Sequence, residues 1–281
     1  MMKKALSLLL CIAMILGITT VSLAEESEAT EAVAFLMFAD GSWTNQYWTT
    51  ADEVAFTATN TVVTGPGTYT VGLAFDEAVE GLSFMALGIE NGEELLPGAI
   101  YEVTEVKVNG EAVELGKTYT STDDGVITRN NIYNEWVSEI PDDARVSGDI
   151  AEYTPTAVST DDFASYTSIE VTFTMVSAEA FIMFADTAWA NQLWTLADET
   201  TAEIGVAEIY KEGDYEVSLK FAEAIEGFAF MALEVVDGNI TFPNYCYDIT
   251  EILVDGAPVE IAKGYTSSDG SVASRCSIYN E

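Results

Sequence analysis

The feature that most constrains this chain is an internal repeat. Sliding the sequence by 146 residues lays Val33–Glu135 onto Glu179–Glu281 without a gap. Roughly 45% of the aligned positions are identical, which identifies two copies of one module. Within each copy the apolar period is two. Tyr69, Val71, Leu73 and Phe75 alternate with smaller or polar residues, and Tyr215, Val217, Leu219 and Phe221 repeat the pattern. Leu82–Leu87 and Phe228–Leu233 are apolar on both faces, as an inner strand requires. Asn109-Gly110 and Asp255-Gly256 supply tight hairpin turns between short strands. No stretch after the N-terminal apolar run reads as an amphipathic helix. The expected fold is all-β: two tandem β-sandwich modules of jelly-roll type.

Boundaries follow from the repeat. Residues 1–24 read as a secretory signal peptide: Lys3 and Lys4, an apolar core from Ala5 to about Leu16, then Ser22-Leu23-Ala24 as cleavage site. Cys11 lies inside that core, without the small residue that usually precedes a lipoprotein cysteine. Residues 25–32 form a polar tail, 33–176 the first module and 177–281 the second. Residues 137–167 are poor in large apolar groups and read as a loop or linker. Ile169, Val171, Phe173 and Met175 then alternate cleanly and are assigned as the strand that closes module one. On this reading the second module is truncated at its C-terminus, short of its own closing strand. The implied location is secreted, extracellular or at the cell surface, with a catalytic or anchoring domain as a further partner.

Charge and composition exclude several functions. Beyond the signal, 8 basic face 47 acidic side chains, and histidine is absent. Such a field repels nucleic acid, anionic lipid and acidic polysaccharide, and leaves neutral or cationic partners. Without histidine, Ser-His-Asp and Cys-His catalysis and His-rich zinc sites fall away. Paired carboxylates for glycoside hydrolysis remain open, but 47 acids make any one pair unspecific. No cofactor is expected; calcium is compatible with so acidic a sandwich, but no residues place it.

The densest shared stretch is Asp40-Gly-Ser-Trp43-Thr-Asn45-Gln46-Tyr-Trp48, with Asp52 following. It returns as Asp186, Trp189, Asn191, Gln192, Trp194 and Asp198. Flat apolar rings beside amides and carboxylates suit a polyhydroxylated ligand. The same residues can instead plug the core and brace a loop. On a regular strand Trp43 and Trp48 would point to opposite faces, so a shared platform requires a loop or bulge. A second shared segment carries Arg129 and Asn134, repeated as Arg275 and Asn280; regular alternation puts Arg129 and Asn134 on opposite faces. Arg129 can also serve as half of a structural ion pair. Cys246 and Cys276 occur only in the second copy and, in an exported chain, are expected to form a disulfide.

A secreted acidic tandem β-sandwich with these repeated residues resembles the carbohydrate-binding modules of bacterial plant-polysaccharide-degrading proteins. The resemblance covers nearly all of the chain beyond the signal and is one of class; no motif assigns a particular family. It implies a non-catalytic protein that stacks sugar rings on Trp43 and Trp189. Hydroxyls would fall to Asn45, Gln46 and Asp52 in one module, and to Asn191, Gln192 and Asp198 in the other, with Trp48, Trp194, Arg129, Asn134, Arg275 and Asn280 alongside. The expected partner is a neutral polysaccharide. The alternatives are a cell-surface structural or adhesion repeat, and a glycoside hydrolase.

Overall fold

The computed structural model describes residues 30–123, 127–243, 245–261, 265–267 and 273–280. The expected signal peptide, most of the polar tail and Glu281 lie outside the described residues.

The first module contains Ala32–Asp40 (β1), Gln46–Tyr47 (β2), Thr57–Thr59 (β3), Thr61–Val63 (β4), Gly67–Val79 (β5) and Leu82–Glu90 (β6). It continues with Tyr101–Val108 (β7), Glu111–Ala112 (β8), Tyr119–Asp123 (β9), Ile127–Asn134 (β10) and Tyr166–Met175 (β11). These form two antiparallel sheets, ordered β2-β1-β6-β10-β9, with β4 also on β1, and β3-β5-β11-β7-β8. The long strands β1, β6 and β10 therefore lie in one sheet and β5, β7 and β11 in the other. Between the sheets Phe38 of β1 meets Phe75 of β5 and Tyr166 of β11, at ring-centroid distances of 5.6 and 6.3 Å. The fold is an all-β sandwich.

β6 is apolar on both faces because both are covered. Phe38 pairs with Met85, so Met85, Leu87 and Ile89 face the other sheet while Phe84, Ala86 and Gly88 face outward. The segment after β2 folds over that outer face: Trp48 packs on Phe84 at 5.1 Å, and Thr50 bonds Glu90 at the far end of the strand. At Gly88 a Cβ would stand 2.6 Å from the Phe35 ring, so this close layer requires glycine.

The stretch expected as a loop or linker is an ordered cover over module one. Arg145 bridges Thr120, Tyr153 bridges Lys117, and Thr156 bridges Tyr133. Few large residues anchor it, but they are well buried: Val146 and Tyr153 with Tyr119, and Phe163 in the main core. The Arg145 guanidinium donates to Glu93 at 2.5 Å, tying the cover to the single helical turn at Gly92–Leu95.

The second module has Ala178–Ala185 (β12), Gln192–Leu193 (β13), Glu203–Gly205 (β14), Ala207–Ile209 (β15) and Ser218–Lys220 (β16). Phe230–Val235 (β17), Leu253–Val254 (β18), Ala257–Pro258 (β19), Tyr265–Ser267 (β20) and Ser274–Asn280 (β21) follow. Its first sheet, β13-β12-β17-β21-β20 with β15 on β12, reproduces that of module one. Its second sheet does not: only the pairs β14–β16 and β18–β19 form among the described residues.

β11 runs into β12 through two residues, Val176 and Ser177, and the modules are packed together. Ile100 is buried with Ala178, Ala180, Ile209, Val235 and Phe242 of the second module. Backbone bonds reinforce the contact: Glu212 N–H to Pro97 O and Gly148 N–H to Ile240 O, both at 2.7 Å. Among the described residues no helix is long and apolar enough to cross a membrane.

The expected Cys246–Cys276 disulfide does not form: both are free thiols, Cys276 buried and Cys246 exposed. Strand geometry gives the reason. Thr266, paired with Cys276 on β21, also brackets Tyr247, so Tyr247 is the residue held on that side. Its neighbour Cys246 is thereby turned outward.

Candidate functional site

The site starts from one carboxylate. Asp40, at the end of β1, accepts hydrogen bonds from the Ser42 N–H and hydroxyl, the Thr44 N–H, and the Asn45 N–H and side-chain amide, at 2.7–3.0 Å. These bonds wind residues 40–45 into a tight turn. At its apex Trp43 has φ of 62°, the left-handed region that bulky residues avoid. Gln46 holds it there: its amide N–H donates to the Trp43 carbonyl at 2.7 Å, and its oxygen accepts from the Trp48 indole at 3.0 Å. A second carboxylate, Asp52, accepts from the Trp48 and Thr49 N–H groups and the Thr49 hydroxyl.

The left-handed apex brings Trp43 and Trp48 onto one side, where a regular strand would separate them. Their rings stack at 6.1 Å with 19° between planes. Trp136 packs against Trp43 at 4.9 Å, and Trp48 rests on Phe84. The Arg129 guanidinium lies 5.9 Å from the Phe84 ring centre, within cation–π range. The result is a row of aromatic side chains, Trp136, Trp43, Trp48 and Phe84, running from solvent down to the sheet. Trp136 is 57% exposed and Trp43 38%, while Phe84 is buried.

The second module rebuilds this geometry from different intervening residues. Trp189 has φ of 56° and stacks on Trp194 at 6.2 Å and 20°. Trp194 packs on Phe230 at 5.1 Å, and Gln192 again links the Trp189 carbonyl to the Trp194 indole. Asp186 accepts from Ala190 and Asn191, and Asp198 from Trp194 and Thr195. Trp189 is 53% exposed.

All four aspartates are held below the ordinary carboxylate value of 3.8. For Asp40 and Asp52 burial pushes upward, but their hydrogen bonds together outweigh it. For Asp186 the Asn191 amide is the main cause, and for Asp198 the Trp194 N–H.

These bonds show what the polar residues do within the loop. Gln46 and Gln192 are engaged at both ends of the amide, Asn45 and Asn191 are turned onto Asp40 and Asp186, and Asp52 and Asp198 close the next turn. In these positions they brace the tryptophans. Asn134 is buried and receives the Trp136 N–H at 3.1 Å, so it too orients a ring. A bulge between Asn131 and Tyr133 pairs Asn134 with Phe84 and moves it to the same face as Arg129, contrary to regular alternation. The equivalent shift in the second module pairs Asn280 with Phe230. There Arg275 donates to Glu234 at 3.2 Å, an ion pair on the sheet surface.

Three participants, Trp136, Phe84 and Phe230, are not marked as site residues by the sequence. Trp136 is the one tryptophan outside the two matching stretches, placed directly after the shared Arg129–Glu135 segment; that position was the available signal. Phe84 and Phe230 read as core residues, and only the fold shows that they carry the stack. Among the described residues no group of three or more Cys, Asp or Glu is placed to hold a metal ion. No known protein family, curated protein or solved structure matches this chain.

Proposed function

We propose that this chain is a non-catalytic, exported glycan-binding protein that stacks sugar rings on Trp136 and Trp43 in its first module and on Trp189 in its second. One observation carries the reading. Each module holds a large apolar ring out in solvent on a backbone conformation that costs about 1–3 kcal/mol, and secures it with a hydrogen-bonded turn present twice. A loop serving only stability would gain more by burying the ring.

The chemistry of recognition follows from which groups are engaged. The amides and aspartates are bound to the loop, so binding rests on ring stacking and discriminates weakly between sugars. A net charge of −37 favours a neutral chain over an acidic one. Two weak sites on one polypeptide gain by avidity where a polymer spans both.

Affinity electrophoresis through a panel of neutral polysaccharides tests the proposal. Wild type should be retarded by at least one of them, and Trp136→Ala and Trp189→Ala should each weaken retardation several-fold with unchanged melting temperature. The proposal fails if no polysaccharide retards the protein, or if both variants bind as wild type does. The second reading, a structural repeat of the cell surface, draws support from the close packing of the modules around Ile100.

A further inference from the structure

One edge of β7 is paired along its length by β11. Among the described residues its other edge is occupied only near the ends. β8 takes Lys107 and Val108, and the Val113 N–H reaches the Val106 carbonyl. At the start of the strand the Thr120 hydroxyl accepts from the Tyr101 N–H at 3.0 Å and donates to its carbonyl at 3.1 Å. Backbone groups alternate from edge to edge along a strand, so the Val103 N–H and carbonyl lie on the same edge as those of Tyr101. No strand pairs with that stretch. Here the chain crosses from the second sheet to the first, and between residues 102–104 and 115–118 it leaves a cavity of about 330 Å³. That is the size of site that takes one small molecule.

The cover over module one closes a third side of this cavity. The Gly116 N–H donates to the Ala157 carbonyl at 2.7 Å, and the Thr154 N–H to the Lys117 carbonyl at 3.2 Å. These bonds hold Tyr153 in the wall, buried, with its hydroxyl tied to the Ser147 backbone. A Cβ on Gly116 would stand 3.3 Å from Thr154, so the cover lies close against the crossing segment. Thr118 also lines the cavity. It is 3% exposed, and its hydroxyl has no hydrogen-bond partner among the described residues. A buried hydroxyl left unpartnered costs free energy, which a hydrogen-bonding guest in the cavity recovers.

We infer that this cavity binds a neutral, polyhydroxylated small molecule of the size of one monosaccharide. The lining discriminates by charge. Lys117 pairs with Glu152 and stands 5.3 Å over the Tyr153 ring, so the aromatic face that would draw a cation already holds one. An anion would meet Glu102 and Glu152 in a chain of net charge −37. A hydroxyl both donates and accepts, and the cavity offers both. The Glu102 carboxylate accepts, the Lys117 ammonium donates, and the Thr118 hydroxyl and Val103 backbone do either. Val103 and Leu115 supply apolar surface for the C–H face of a sugar ring. The cavity shares no residue with the aromatic row, so the inference stands apart from the reading of that row as a polysaccharide site.

The test is a nuclear magnetic resonance titration of the full chain with glucose, galactose, mannose and xylose, and with spermidine and glucuronate as charged probes. At least one neutral sugar should shift the backbone amides of residues 102–104 and 115–118 saturably. Trp136→Ala should keep those shifts, which separates the cavity from the aromatic row. Thr118→Val preserves shape and removes the unpartnered hydroxyl; its melting temperature should be unchanged or higher, and its sugar affinity about tenfold weaker. Glu102→Ala, at an exposed position, should weaken binding several-fold and carries the test if Thr118→Val does not fold. The inference is overturned if no neutral sugar shifts these amides, or if only spermidine or glucuronate does. Unchanged sugar affinity in Thr118→Val, or in Glu102→Ala where that variant is unfolded, overturns it equally.

Discussion

Asp40 closes the turn that carries Trp43 by accepting five hydrogen bonds, and the geometry of the aromatic row depends on that one carboxylate. Charge-assisted bonds to a residue that is 2% exposed are among the stronger local interactions in a protein. Asp40→Ala is expected to cost about 2–4 kcal/mol at neutral pH, with Trp43 released from its stack on Trp48. The pH dependence has a definite sign. The folded-state value of Asp40 lies below the ordinary 3.8, so its contribution is complete above that range and is lost as pH falls through the lower folded value. The difference in denaturant stability between wild type and Asp40→Ala should therefore hold constant from neutral pH to about 5 and shrink below 3.8. A difference that instead narrows between pH 7 and 5 would show that the carboxylate bonds are not what holds the turn.

Strand period, hairpin turns and the doubled module make the individual strands legible in the sequence, because alternation such as that of Tyr69, Val71, Leu73 and Phe75 on β5 has one physical meaning. The long-range partner of each strand was less legible. Nothing local in Ile169–Met175 tells that it lies between β5 and β7. The bracing contacts of Asn45 and Gln46 are less legible, because residue type gives donor capacity, while only the turn shows which donors are engaged within it. The repeat also records how one layer was rebuilt. Thr50 bonds Glu90 over the outer face of β6, whereas the second module has Leu196 and Val236 at these places, both packed on its apolar cluster. A polar pair and an apolar pair thus fill equivalent positions. In module one, Thr50→Leu and Glu90→Val should each destabilise by about 1–2 kcal/mol, because each strands its former partner. The double variant should recover at least half of the summed loss, a coupling visible in a double-mutant cycle. Strict additivity would mean that the two positions do not act as a unit.

At the scale of the whole molecule, one complete sandwich supports one that has a single well-formed sheet. The second module buries less of its apolar alternation than the first: Leu219 and Ile252 are half-covered where Leu73 and Val106 are buried. Its remaining support comes from module one. Ile100, 3% exposed, enters the cluster of Ala178, Ile209, Val235 and Phe242, and the Pro97 and Gly98 carbonyls receive the Glu212 N–H and the Tyr245 hydroxyl. Gly98 has φ of +71°, and a Cβ there would stand 2.7 Å from the Glu212 side chain, so the contact is close at the backbone itself. Such an interface couples the two modules thermodynamically, and the wild-type chain should melt in a single calorimetric transition. Ile100→Ala removes the buried group from the junction, at a cost of about 2–5 kcal/mol, while leaving the inter-sheet contacts of module one in place. Because that cost falls on the weaker partner, the variant should show two transitions, the first accompanied by a change in Trp189 and Trp194 fluorescence and the second by Trp43 and Trp48. Variants keeping only the tryptophans of one module assign the signals. If Ile100→Ala still melts in one step, shifted as a whole, the coupling resides in the backbone bonds of residues 97, 98 and 148, and the side chain at the junction is not what joins the modules.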